Sequence, residues 1–160
     1  MPSFKLPIAW LLMVVLLGQS GAEAEDRPLE YIRITPADLK WNPHPTMPRG
    51  AQLAVLQGNP GKPGLFTLRV KLPANYAVPV HSHPDERTRT IISGTYYSAI
   101  GDKADASKLI AFPPGTVSYV PPTAWQFAET RGEEVVFQIT GIGPTRIDFL
   151  NPEDNPLRGR

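Results

Sequence analysis

His81-Ser82-His83 is the stretch of this chain most capable of chemistry. Residues two apart in an extended strand share a face, so both imidazoles would enter one cavity. Two neutral imidazole nitrogens a few ångströms apart suit a divalent cation. The bland alternative is a pair of surface histidines at a turn, which the following Pro84-Asp85 would supply. His44, the remaining histidine, lies in the proline-punctuated stretch Trp41 to Gly50 and is expected to be an exposed loop residue. Gln126 sits in Ala124-Trp-Gln-Phe-Ala128, where alternation groups it with two alanines, a pattern suited to a cavity wall. A structural role satisfying backbone groups suits Gln126 equally well, while Gln138, in Val136-Phe-Gln-Ile-Thr140, is a second pocket candidate whose simpler reading is structural. No nucleophile–base pair, phosphate loop or glycosidase-type carboxylate pair stands out, since Asp85 and Glu86 are neighbours and would point apart in a strand.

Composition narrows what these residues could serve. A chain of 160 residues allows one domain with a sizeable core, and a formal net charge of +1 argues against a nucleic-acid partner. The absence of cysteine excludes disulfides, thiolate metal sites and a cysteine nucleophile. At the start, Lys5 precedes the apolar run Ile8 to Leu17, and Ala22-Glu23-Ala24 has the small-x-small form cut by signal peptidase. That run is half of the roughly 20 residues needed to span a bilayer. Residues 1–24 are therefore expected to be a signal peptide cleaved after Ala24, leaving a periplasmic or secreted protein without a stable membrane span.

The elements that must position the candidates are short strands. The 19 prolines and 13 glycines favour many strands and turns over a helical bundle. Tyr31–Ile34 is a strand candidate, and Thr35-Pro36-Ala-Asp-Leu-Lys40 carries an N-cap and a proline suited to one helical turn. Residues 25–51 form a covering segment that contains no central strand. Strand-like runs then recur at Gln52–Gln57, Leu65–Leu72, Tyr76–His83, Arg87–Ser93, Thr95–Ile100, Leu109–Phe112, Val117–Val120, Ala124–Ala128, Glu134–Thr140 and Arg146–Leu150. Ten such strands suit an all-β jelly-roll barrel over residues 52–156, with 157–160 as a tail. Small barrels of this kind enclose a pocket for a small molecule.

Asn75 to Gly94 (NYAVPVHSHPDERTRTIISG) resembles the first cupin motif, G-x5-H-x-H-x3,4-E-x6-G, and Phe112 to Gln126 (FPPGTVSYVPPTAWQ) resembles the second. Gln138 to Pro144 and Asn151 to Pro156 are also similar to small single-domain bacterial cupins. The resemblance covers most of Gln52 to Pro156 and implies a double-stranded β-helix, frequent homodimerisation through sheets, and a metal held by three His and one Glu. Asn75 replaces the opening glycine, the glutamate position falls on Arg87 with Glu86 one residue early, and the second motif's histidine position falls on Gln126.

A one-residue slip in a strand moves a side chain to the other face, so the register after Pro84-Asp85 decides the ligand set. If odd positions face inward, Arg87 and Arg89 enter the cavity, where unpaired guanidiniums are costly. If even positions do, Glu86, Thr88, Thr90 and Ile92 line it and both arginines reach solvent. Electrostatic cost favours the second register, with a bulge at Pro84-Asp85 absorbing the shift. His81, His83 and Glu86 would then make a two-His, one-carboxylate site for Fe, Mn or Zn, with Gln126 as a weak ligand or a partner for bound water. Inward arginines would instead make a receptor for a carboxylate or phosphate.

Two functions are thus expected. One is a metal-dependent oxygenase or isomerase acting on a small organic acid or phenolic. The other is a non-catalytic cupin with an eroded metal site that binds a small anionic ligand or serves as a dimeric module. The side on which Arg87 and Arg89 lie discriminates between them.

Overall fold

The computed structural model describes residues 31–158. The chain divides into Met1–Ile32 and Arg33–Arg160, and the second unit carries the fold. The expected signal peptide and its cleavage position lie outside the described residues. Tyr31–Ile34, expected as a strand, has no regular structure. The helical turn is present as a 3-10 turn over Pro36–Asp38, closed by the Asp38 carboxylate, which accepts from the Thr35 N–H and hydroxyl at 2.7 and 2.6 Å. Among the described residues no helix is long and apolar enough to cross a membrane.

Eleven strands follow among the described residues: β1 Asn42–Pro43, β2 Gln52–Gln57, β3 Gly64–Leu72, β4 Ala77–Ser82, β5 Arg87–Ser93, β6 Tyr96–Ile100, β7 Ile110–Phe112, β8 Val117–Val120, β9 Gln126–Thr130, β10 Val135–Gly143 and β11 Asp148–Phe149. They pair antiparallel into a six-stranded sheet, β1-β2-β3-β10-β5-β8, and a five-stranded sheet, β11-β4-β9-β6-β7. From β3 onward the chain changes sheet at almost every connection, which is the jelly-roll pattern expected from the sequence.

Strict alternation on β3 buries Phe66, Leu68, Val70 and Leu72 against Phe137 and Ile139 of β10, Ile91 of β5, and Val78, Tyr96 and Ala128 of the facing sheet. Truncating a residue as enclosed as Leu72 to alanine costs about 2–5 kcal/mol. Asn75 takes φ 57° in the turn before β4, a conformation that asparagine tolerates. Gly94 at φ +69° closes the β5–β6 turn, where a Cβ would collide with the Glu134 carbonyl.

Two local features place the site. A register shift between Val78 and His81 marks a bulge in β4, so Val78 and His81 both line the cavity although they are three residues apart. β1 pairs with β2 at the sheet edge, and the His44 N–H donates to the Ala51 carbonyl at 2.9 Å. A proline fits such an edge because no further strand needs its missing N–H.

Candidate functional site

A cavity of about 380 Å³ lies between the two sheets. Its walls are mostly apolar, from Leu53 and Val55 of β2, Leu68 and Val70 of β3, Tyr96 of β6, and Phe137 and Ile139 of β10. Its polar lining comes from His44, Thr46, His81, His83, Arg87, Arg89, Thr145 and Arg146, the last paired with Asp148 at 2.8 Å.

His81 and His83 stand with ring centroids 5.0 Å apart and planes crossed at 82°. Each Nδ1 lies 2.7 Å from a backbone carbonyl, that of Pro79 for His81 and that of Arg146 for His83. A carbonyl can only accept, so each Nδ1 carries the proton and each Nε2 keeps its lone pair. Burial pushes the His81 imidazole down to about 4, against the Pro79 carbonyl and with added repulsion from Arg89 and Arg87. Burial and the charge of Arg87 hold His83 well below its ordinary value. Both rings are neutral near pH 7.

His44 corrects its sequence-based placement: it is half-buried and lines the cavity, and burial lowers it to about 4. Its Nδ1 accepts from the Thr46 N–H at 3.3 Å, which leaves Nε2 as the protonated nitrogen. The edge pairing of β1 brings it there, a long-range arrangement with no signature in a proline-rich stretch.

The register of β5 is the reverse of the favoured one. Arg87 and Arg89 face inward at 5% and 4% exposure, while Glu86, Thr88 and Ile92 are exposed and Thr90 is half-buried on the outer face. Glu86 accepts from the Tyr119 hydroxyl at 2.9 Å on that outer face, so it cannot join the histidines as a ligand. The reason is that neither arginine is left bare. Asp85, itself buried, takes the Arg87 Nη2 at 2.6 and 2.8 Å and its Nε at 3.1 Å, and Thr145 Oγ1 accepts from the same Nη2. Gly141 lies opposite Arg87 on β10, and a Cβ there would stand 3.1 Å from the Glu86 carbonyl and 3.2 Å from Asp85 Oδ2. Its missing side chain gives this corner its room. The spacing Asp85-x-Arg87 carried the signal, since residues two apart in extended chain form a same-face ion pair.

Arg89 is different. Its Nη2 donates to Gln126 Oε1 at 2.9 Å, and its guanidinium packs 4.8 Å from the Tyr96 ring centroid and 5.5 Å from that of Phe137. Among the described residues no carboxylate pairs with it. Gln126 is 1% exposed and sits opposite His81 in the β4–β9 register. Gln138 is no pocket residue: it points to the outer face of β10 and accepts from Arg69 Nε at 3.2 Å.

The four residues singled out as metal ligands are therefore not brought together. His81 and His83 are, and Gln126 adjoins them with its oxygen engaged by Arg89, but Glu86 is on the opposite face. Among the described residues no three His, Cys, Asp or Glu side chains group as a metal site, and two guanidiniums repel positive charge at the histidines. This donor set does not fit the three-His, one-Glu centre of the resemblance.

No family model matches the sequence, and no curated protein is significantly similar to it. Solved structures do match. The polyketide cyclase RemF from Streptomyces resistomycificus superposes with a TM-score of 0.67 at 15% identity, covering 79% of this chain and 90% of that one. An RmlC-like cupin from Ralstonia eutropha JMP134 gives 0.58 at 17% identity over 77% of this chain and 74% of its own. An RmlC-like cupin from Shewanella frigidimarina NCIMB 400 gives 0.55 at 13% identity over 71% and 90%. At these identities the likeness concerns the fold.

Proposed function

We propose that this chain, a cupin by fold, binds a small organic anion with an apolar body, using Arg89 as the counter-ion. The observation that carries this reading is the Arg89 guanidinium itself, buried at the cavity wall with no carboxylate of the described chain opposite it. An isolated buried charge is costly, and a ligand anion offsets that cost where Asp85 already does so for Arg87. The apolar remainder of the cavity suits an aromatic or branched body, an organic acid or phenolate. A polyketide cyclase among the structural relatives supports an organic small-molecule ligand.

The other groups orient such a ligand. His81 and His83 offer Nε2 lone pairs to ligand hydroxyls, and His44 offers an N–H to a ligand carbonyl. The same two lone pairs favour the second reading, a metal-dependent oxygenase or isomerase, in which ligand or water would have to complete the coordination. Residues 1–24, read as a signal peptide, support function in a periplasm or outside the cell, which N-terminal sequencing of the exported protein tests.

The deciding experiment is calorimetric titration of chelator-treated protein with naphthoate and with neutral naphthamide, beside elemental mass spectrometry of the purified protein. The anion reading expects naphthoate to bind at least about tenfold more tightly, a preference lost in Arg89→Met. Equal affinities, or binding that needs added Fe(II), Mn(II) or Zn(II), overturn it in favour of the metal reading.

A further inference from the structure

His81 and His83 are 4% and 7% exposed, and both line the cavity. A backbone carbonyl pins the proton of each ring on Nδ1, so each Nε2 of the neutral pair can only accept. Among the described residues neither Nε2 has a hydrogen-bond partner, yet neither is sealed. The polar side-chain atoms that are both unpaired and sealed are Arg89 Nε, Ser118 Oγ and Gln126 Nε2. The surface that each histidine Nε2 keeps is therefore surface on the cavity that these enclosed rings line. Two lone pairs, on rings whose centroids are 5.0 Å apart, face one space and need donors from whatever fills it.

Charge narrows the donor. Arg87 and Arg89 line the same cavity, and the charge of each acts on both rings. Asp85 offsets one of the two guanidiniums, which leaves positive charge where a donating ammonium would have to sit. The remaining donors are neutral. An amide N–H donates without accepting, whereas a hydroxyl does both, and the cavity presents both kinds of partner. Beside the two lone pairs stand the His44 Nε2–H and Arg89 Nη1, and Arg89 Nη1 is likewise neither bonded nor sealed. A hydroxyl thus suits the histidines, and an anionic group suits the free nitrogen of Arg89.

We propose that His81 Nε2 and His83 Nε2 form a hydroxyl receptor, and that the ligand is a hydroxylated organic acid whose anionic group meets Arg89 Nη1. The inference rests on the anion reading of the cavity and adds the group that selects one acid over another. The two histidines act on the ligand directly, as acceptors of its hydroxyl protons, with no metal between them.

The test titrates chelator-treated protein with naphthoate, with the positional isomers of hydroxynaphthoate, and with the methyl ether of each isomer. The ether keeps the oxygen as an acceptor but has no proton to give. At least one hydroxy isomer should bind about fivefold or more tightly than both naphthoate and its own ether. His81→Phe and His83→Phe should each reduce that preference, and the double variant should erase it. A measurement on the wild type covers the case in which a variant fails to fold. The nitrogen-15 NMR signal of His81 or His83 Nε2 should move upfield with the preferred hydroxy acid and not with its ether. If Arg89→Met abolishes naphthoate binding but no hydroxy isomer exceeds its ether, the hydroxyl receptor is wrong and the anion reading survives. A hydroxyl preference that persists in the double variant, or that leaves both Nε2 signals in place, overturns the assignment to the histidines. If Arg89→Met binds naphthoate like wild type, the anion reading falls and the receptor with it.

Discussion

Arg89 on β5 donates to the Gln126 side-chain oxygen on β9 at 2.9 Å, joining the two sheets across the interior. The motif that Phe112 to Gln126 resembles has a histidine where Gln126 stands, and a histidine accepts from a guanidinium only while it is neutral. An amide oxygen accepts at any pH. The departure at Gln126 thus suits the arginine it meets, and the two residues are best read as one feature.

Arg89→Met should stabilise the free protein while removing its anion affinity. Relief of several kcal/mol of charge burial outweighs the roughly 1–3 kcal/mol lost by leaving Gln126 Oε1 unpaired. A net gain of about 1–2 kcal/mol in urea denaturation is expected. A lower midpoint would mean that Arg89 is already well compensated inside the protein.

Asp85→Asn should do the opposite. It strands the Arg87 guanidinium at 5% exposure, at an expected cost of about 3–5 kcal/mol. Replacing both members with apolar residues, Asp85→Leu with Arg87→Met, should recover most of that loss, as denaturation midpoints of the single and double variants will show.

Stability should fall with acidification through the range set by the histidines. His81 titrates near 6.5 when unfolded and about 4 when folded, so between those values the unfolded chain binds the extra proton. Stability is therefore fully present above about pH 6.5 and declines as pH drops toward 4, by up to roughly 1.4 kcal/mol per pH unit for this group. His83, shifted the same way, steepens the decline. Denaturation at about pH 7, 6 and 5 measures the slope, and His81→Gln should flatten it.

Glu86→Ala should be nearly silent. Its partner Tyr119 is 61% exposed, and such outer-face changes usually stay within about 0.5 kcal/mol. Naphthoate affinity and metal content should match wild type, and a loss of bound metal in this variant would contradict the outward placement of Glu86.

Much of the fold was legible in the sequence because strand alternation and turn residues are local. Gln52–Gln57, Arg87–Ser93 and Val117–Val120 form as strands within the limits read from their patterns, and Leu65–Leu72 buries the face that alternation marked. The spacing of His81 and His83 sufficed to put both on one cavity. What the sequence could not settle was the side of β5 that faces inward. Either face of Glu86 to Ser93 could be buried, and the choice turned on which charges would find partners. Asp85 beside Arg87, Gln126 and the Tyr96 and Phe137 rings around Arg89, and the bare backbone of Gly141 supply them, and four of these five lie on other strands. His44 reached the cavity for a similar reason, through an edge pairing with β2. Local periodicity determined where the strands run; the tertiary structure decided which charges they bury, because the cost of a buried charge depends on neighbours that only folding brings together.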